Sequence, residues 1–447
     1  RSAMDKPNIL FIMTDQQSAD AMSCAANPHL RTPALDRLAA RGIRFDAAYS
    51  SYPLCVPARM SIFTGRMPHE LGIYVNCGEV DQPCGAPMLA ARLRDAGYRC
   101  HYVGKWHLTV PEKNRDEHGF EQIELGGGYG GLDSAKADAA VKFLGQKQEQ
   151  PFFLTVSFNN PHDCCELSRG NELRMGELPP PPEDPDQLPP LPENWRTPEE
   201  PVPALRQFQR EYPKIGCALE WDELQTRRYR WGYNRLVEMV DAEIGRVLAA
   251  LEANGLWEDT LIVFASDHGD GQGAHGWNQK WCMYDEVSRV PLIVKPPGAG
   301  KSDAGAQCPQ PVSATLDIFP TLCDYAGAET PKPQRGHSLR ALFADDGEGG
   351  EDGDGERDFV ASESSFGTWA PVHEDRGWPK ARMVRSRCYK YIAYNTEEKP
   401  REQLFDMQSD PQETINLAAD TKHAKNLEYH RQLLRDWLRQ TNDSFRL

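Results

Sequence analysis

Short, almost unbroken apolar runs recur along this chain, each followed by a stretch of helical periodicity, and that alternation narrows the fold more than any other feature. Asn8 to Thr14 (NILFIMT) is the first run. Arg99 to Val103 (RCHYV), Phe152 to Phe158 (FFLTVSF) and Leu261 to Ser266 (LIVFAS) follow, and Pro291 to Val294 is a shorter fifth. Successive side chains of a strand point to opposite faces, so a run apolar at consecutive positions is a strand covered on both sides. Helical patterns lie between the runs at Thr32 to Arg41, Ala86 to Ala96 and Arg227 to Asn254, with another at Thr315 to Ala326. The alternation predicts an α/β fold with a mostly parallel sheet sandwiched by helices.

Two stretches break the pattern. Residues 177–204 are rich in proline and acid, which predicts an extended surface insertion. Residues 345–356 (DDGEGGEDGDGE) predict a solvated acidic loop that marks a boundary. A chain of 447 residues accommodates a large domain over 1–345 and a smaller C-terminal α+β subdomain over 358–447. In that subdomain Ala381 to Tyr394 reads as a short antiparallel sheet and Lys422 to Arg439 as a closing amphipathic helix.

The residues just past the strands carry the chemistry. Asp15 and Gln16 follow the first run, Lys105 and His107 the second, Asn159, Asn160 and His162 the third, and Asp267 and His268 the fourth. Ligands of open α/β sheets bind beyond the carboxyl ends of the strands. One such aspartate is ordinarily a turn or cap residue. Four strand ends that bring carboxylates, a carboxamide, imidazoles and a lysine to one edge predict a shared site. Asp15, Gln16, Asp267 and His268 offer oxygen and imidazole donors with no thiolate, a set suited to Ca²⁺, Mg²⁺ or Mn²⁺, with Zn²⁺ also open.

Cys55 opens the segment Cys55-Val56-Pro57-Ala58-Arg59, which runs on to Thr64-Gly65-Arg66. Pro57 fits the first turn of a helix and Gly65 its C-terminal cap. Cys55 then sits at a helix N-terminus, where free N–H groups favour an anion, and Arg59 lies one turn on along the same face. An incidental reactive thiol at a helix start has the same spacing.

This segment resembles the signature of the type I sulfatases of the alkaline phosphatase superfamily, Cys-x-Pro-x-Arg followed by a helix and Thr-Gly-Arg. The resemblance extends over nearly the whole chain: Asn8 to Gln16, Gly104 to His107 (GKWH), Ser266 to Gly269, and Gln279-Lys280 followed by Arg289 to Ile293. Lys390-Tyr391, Leu404 to Asp406 and Asp410 to Glu413 resemble the family's C-terminal subdomain. It implies an alkaline-phosphatase-like fold and a sulfuric ester hydrolase. It also implies that a separate maturation enzyme oxidises Cys55 to formylglycine, and that one divalent ion, calcium foremost, is held by Asp15, Gln16, Asp267 and His268. On that reading the hydrated aldehyde attacks sulfur and later collapses to release sulfate. Lys105 and Lys280 complement the sulfuryl charge, Arg59 orients the diol, and His162 and His107 act as acid and base, the two roles being exchangeable. Two positions depart from the family: Ala58 replaces the usual serine, and Gln16 the commoner aspartate. Gln with His268 also occurs in related phosphonate and phosphodiester hydrolases, which form the first alternative. A binding protein that keeps Cys55 as a thiol and merely holds anions is the second. Asp163, His275, Trp277, Trp281 and the Gly126–Gly131 loop flank the predicted site and are the candidates for substrate contacts, although aromatics so placed also serve as packing.

Charge and composition limit the partners. A net charge of −16 excludes a nucleic-acid tracker, so an anionic ester must be drawn by a local cluster of cations. A small sulfated carbohydrate or a chain end suits this balance better than a long polyanion. Apolar residues make up 39% of the chain but never bunch into the roughly 20 needed to cross a bilayer, so no membrane association is expected. Twelve cysteines are too sparse for a disulfide scaffold. Met4 behind Arg1-Ser2-Ala3 predicts a cytoplasmic protein with reduced thiols if it is the native start, and a periplasmic or secreted one if a leader has been trimmed. A homo-oligomer is compatible with all of this.

Overall fold

A computed structural model describes residues 6–81, 84–197, 202–298, 304–343, 357–399 and 401–447. Met4 and the acidic 345–356 stretch lie outside the described residues. Eight strands form the central sheet, in the order Gln122–Glu124, Arg99–Gly104, Phe152–Pro161, Asn8–Asp15, Thr260–Ser266, Leu292–Lys295, Ile43–Phe45 and Ala306–Cys308. The first five run parallel. Leu292–Lys295 is antiparallel to both its neighbours, so the sheet is mostly, not wholly, parallel.

The apolar runs behave as their composition requires. Ile9, Phe11 and Met13 of the central strand belong to one core, with Met60, Leu93 and Leu322 from the helices Cys55–Thr64, Leu89–Asp95 and Ile318–Ala326. Leu10 and Ile12 point the other way and meet Leu38, Phe143 and Val247 from Pro33–Ala39, Asp133–Leu144 and Glu223–Ala253. Period-two alternation thus feeds two cores, and helices cover both faces.

A separate antiparallel sheet, Phe359–Ser365, Lys380–Ser386, Tyr389–Tyr394 and Glu402–Asp406, follows in chain order. One face packs through Met383, Ile392 and Phe405 against Tyr49, Met283 and Tyr284 of the main body. The other face carries the helix Ala424–Gln440 on Val384, Tyr391 and Leu404. Within 177–204 most side chains up to Gln187 are exposed, whereas Asn194 is fully buried. No helix among the described residues is long and apolar enough to cross a membrane.

Candidate active site

The central strands stop together, and what they deliver converges. Asp15 ends Asn8–Asp15, and Asp267 and His268 follow its neighbour Thr260–Ser266. Lys105 follows Arg99–Gly104; Gly104 has φ +103° and a Cβ there would stand 2.1 Å from the Ser157 carbonyl oxygen, so only glycine lets the lysine leave this strand. Gln16 (φ 72°) and His107 (φ 47°) are left-handed, as are Gln279 (φ 64°) and Trp281 (φ 76°) on either side of Lys280. Such backbone is costly for residues with side chains and clusters where geometry is imposed by function.

Cys55 begins the helix Cys55–Thr64, which Gly65 closes at φ 66°. All ten of its residues are buried, so the thiol is presented from inside the molecule. Its Sγ lies 2.9 Å from Lys280 Nζ, 3.3 Å from His268 Nε2 and 3.9 Å from Asp15 Oδ1. Burial and Asp15 push this thiol up, but Lys280, Lys105 and His268 outweigh them and hold it well below the ordinary thiol range. Lys280 is driven down by burial and up by Cys55, Cys165 and Asp15, and the upward pull wins.

Arg59, one turn along the helix and fully buried, spans both carboxylates: Nη2 to Asp15 Oδ2 at 2.9 Å and Nε to Asp267 Oδ2 at 3.0 Å. Its Nη1 donates to Ser157 Oγ at 2.9 Å and to the Lys105 carbonyl at 3.1 Å. Lys105 Nζ reaches Asp15 Oδ2 at 2.7 Å. Burial raises Asp15, yet Lys105, His162, Lys280 and Arg59 bring it well below the usual carboxylate range. Asp267 goes the other way: burial and the adjacent Asp15 push it up to about 6.

Because the cations claim the two Oδ2 atoms, both Oδ1 atoms are left on the side of Cys55 and His268. Asp15 Oδ1, Cys55 Sγ, an Asp267 oxygen and a His268 nitrogen form a group whose ligand atoms all lie within 4.8 Å of one another. His268 Nδ1 faces the Gly269 carbonyl at 2.9 Å, so that nitrogen carries the proton and a neutral ring keeps its Nε2 lone pair for a cation. Two hard oxygens, one imidazole and a neighbouring position 55 fit a divalent ion. Gln16 is held beside this group by three hydrogen bonds. Its backbone N–H donates to Asp267 Oδ1 at 3.1 Å, its carboxamide nitrogen to Asp270 Oδ2 at 2.7 Å, and its amide oxygen accepts from the Cys165 thiol at 3.4 Å.

Burial pushes the His107 imidazole below the ordinary value, against the upward pull of the neighbouring Cys55. Its Nδ1 is buried without a partner. Burial, then Lys105 and Lys280, hold His162 well below the ordinary value.

The candidates for substrate contacts fall elsewhere than the sequence predicts. Trp277 is 1% exposed and donates to the Lys280 carbonyl at 2.7 Å, so it presents no ring face to a ligand and instead holds the lysine's backbone. Trp281, also buried, donates to the Gly367 carbonyl at 2.9 Å and packs edge-on against Phe208 and Tyr212. His275 stacks on Tyr284 at 3.7 Å with both nitrogens engaged, by the Thr197 carbonyl and Asn194. Asp163 spends one oxygen on the backbone N–H groups of Arg174 and Met175. These four are corrected to packing and loop-anchoring roles. Sequence reasoning missed Ser157 and Asp270. The first had a signal, a hydroxyl two residues before Asn159 in a fully buried strand.

A family model described as Sulfatase matches residues 7–328. The chain belongs to the sulfatase family. It is a sulfuric ester hydrolase, and the family in general implies a metal ion and formylglycine. The C-terminal part of this sulfatase, residues 273–440, also matches a model described as N-sulphoglucosamine sulphohydrolase, C-terminal. The Δ4,5-hexuronate-2-O-sulfatase of Bacteroides thetaiotaomicron is 31% identical over 99% of this chain and 91% of its own. Among solved structures, a 2-O GAG sulfatase superposes with a TM-score of 0.80 at 29% identity, covering 98% of this chain and 93% of the other. The phosphonate monoester hydrolase of Agrobacterium radiobacter shares the fold, with a TM-score of 0.73 at 23% identity over 98% and 96% of the two chains.

Proposed function

We propose that this sulfatase removes sulfate from a small sulfated carbohydrate or the end of a sulfated chain, with position 55 as the nucleophile and a divalent ion, calcium foremost, between Asp15, Asp267 and His268. Gln16 would complete the set through its amide oxygen. When present, the ion supplies Lewis acidity, and formylglycine at position 55 supplies a hydrated aldehyde whose second hydroxyl gives sulfate an exit.

The chain's own residues have separable tasks. Lys105 and Lys280 hold sulfate oxygens from fixed, buried positions, where cations stabilise developing charge best. Arg59 locks Asp15 and Asp267 so that neither rotates when the substrate enters. His107, a neighbour of Cys55, takes the proton that residue 55 must lose. His162 gives its proton to the departing alcohol. Burial, then the two neighbouring lysines, hold His162 below its ordinary value, and the charge of a bound sulfate works against the lysines' share of that shift.

The observation that carries this reading is Lys280 Nζ at 2.9 Å from Cys55 Sγ, with both carboxylates and His268 behind the sulfur. The carbohydrate is supported by the relatives named for 2-O-sulfated hexuronate and GAG. The test is a set of rates on sulfated mono- and disaccharides beside an aryl sulfate and an aryl phosphonate monoester. Desulfation of a saccharide as the fastest reaction supports the proposal; a much faster phosphonate reaction contradicts it.

A further inference from the structure

A cationic and aromatic plate stands at the rim of the cluster, beside His162. Tyr129 rises from the loop Gly126-Gly127-Gly128-Tyr129-Gly130-Gly131 and is 37% exposed. Its ring centre lies 5.7 Å from that of His162, nearly perpendicular at 80°, and 5.7 Å from Lys105 Nζ. The Arg174 guanidinium carbon sits 4.1 Å from the same centre.

Both parts of the plate are tethered to the strand end that carries His162. Asn159 Nδ2 donates to the carbonyls of Tyr129 at 2.6 Å and Gly131 at 3.3 Å. Asp163 Oδ2 accepts the N–H groups of Arg174 at 2.8 Å and Met175 at 2.6 Å. The Arg174 side chain is 45% exposed and touches one carboxylate, Glu166, through Nη2 at 3.2 Å. Glu166 also accepts from Asn171 at 2.8 Å and lies 3.7 Å from Arg169, so its charge is already shared. Among the described residues, Nε and Nη1 of Arg174 have no partner.

We propose that Arg174 and Tyr129 form the subsite that reads a carboxylate on the sugar bearing the scissile sulfate, which makes the enzyme selective for sulfated acidic sugars. This rests on the carbohydrate reading above. A guanidinium offers a planar fork that matches a carboxylate, and stacking on Tyr129 fixes that fork before the ligand arrives. The sulfate end of the substrate belongs to Lys105. Lys105 Nζ and the Arg174 guanidinium carbon lie 5.7 Å and 4.1 Å from one ring centre, so both cations border the same small patch beside His162. In a chain of net charge −16, an anionic sugar needs such a local cation outside the buried cluster.

The test measures kcat and KM of the wild type, Arg174→Gln and Arg174→Lys on three substrates: a 2-O-sulfated uronate, a disulfated sugar without a carboxylate, and a neutral monosulfated hexose. Arg174→Gln is expected to cut the preference for the uronate over the neutral sugar by about tenfold or more, chiefly through KM, with Arg174→Lys falling between. Equal losses on all three substrates would mark Arg174 as merely structural and overturn the proposal. A loss confined to the disulfated sugar overturns the carboxylate assignment. A wild type that cleaves neutral sugar sulfates but not the uronate sinks the subsite alone. One that cleaves aryl sulfate but no sugar sinks the carbohydrate reading with it.

Discussion

Arg59 is the residue on which the charge balance of the cluster turns. Its guanidinium pairs with both Asp15 and Asp267, and its donors sit in a fixed plane that a lysine cannot reproduce. Arg59→Lys therefore leaves one buried carboxylate without its partner and is expected to lower stability by about 3–5 kcal/mol, read by chemical denaturation. Lys105→Ala should reduce kcat by about 10²–10³ with a smaller change in KM, because the lost charge acts on the sulfuryl group as it departs; steady-state kinetics on an aryl sulfate decides. The gathering of Asp15, Lys105, His107, His162, Asp267 and His268 was legible in the sequence because each stands at or just past the end of a buried strand, and strand ends share an edge. Trp277, Trp281 and His275 were misread for a physical reason. Nearness to Lys280 in the chain does not fix which way a ring points, and left-handed Gln279 and Trp281 turn the backbone between them.

At the scale of elements, the C-terminal sheet is latched to the body by His69. Its Nδ1 lies 2.6 Å from Glu363 Oε2, its Nε2 faces the Thr441 carbonyl at 3.1 Å, and Asp443 stands 3.6 Å away, itself paired with Arg382. Burial lowers His69, but Glu363 and Asp443 prevail and raise it from 6.5 to about 9. A histidine raised on folding stabilises the fold fully below its unfolded value and loses that contribution as pH climbs through the folded one. The melting temperature should accordingly fall between pH 6.5 and about 9. His69→Gln should be about 3 kcal/mol less stable at pH 6 and show a flatter profile across that window. Thermal melts over the pH series check both. This latch could not be read from the sequence, since its partners lie 294 residues apart. The helix after Cys55 could, because Gly65 ends it as a left-handed cap should.

For the whole molecule, the two strands that meet at the sheet's centre bring Gln16, next to Asp15, and Asp267 together across 251 residues of chain, so the site exists only in the folded state. A metal bound there binds the native form alone. Chelation should lower the unfolding midpoint, and calcium restored at a hundredfold its dissociation constant should return about 2.7 kcal/mol. The central claim is that position 55, once oxidised, is the nucleophile. The direct measurement is the rate of sulfate release across preparations made with and without a formylglycine-generating enzyme, set against the fraction of Cys55 converted in each, read by peptide mass. The rate should be proportional to that fraction, vanishing at zero conversion and in Cys55→Ala. Full sulfate release from protein whose Cys55 is still a thiol would contradict it.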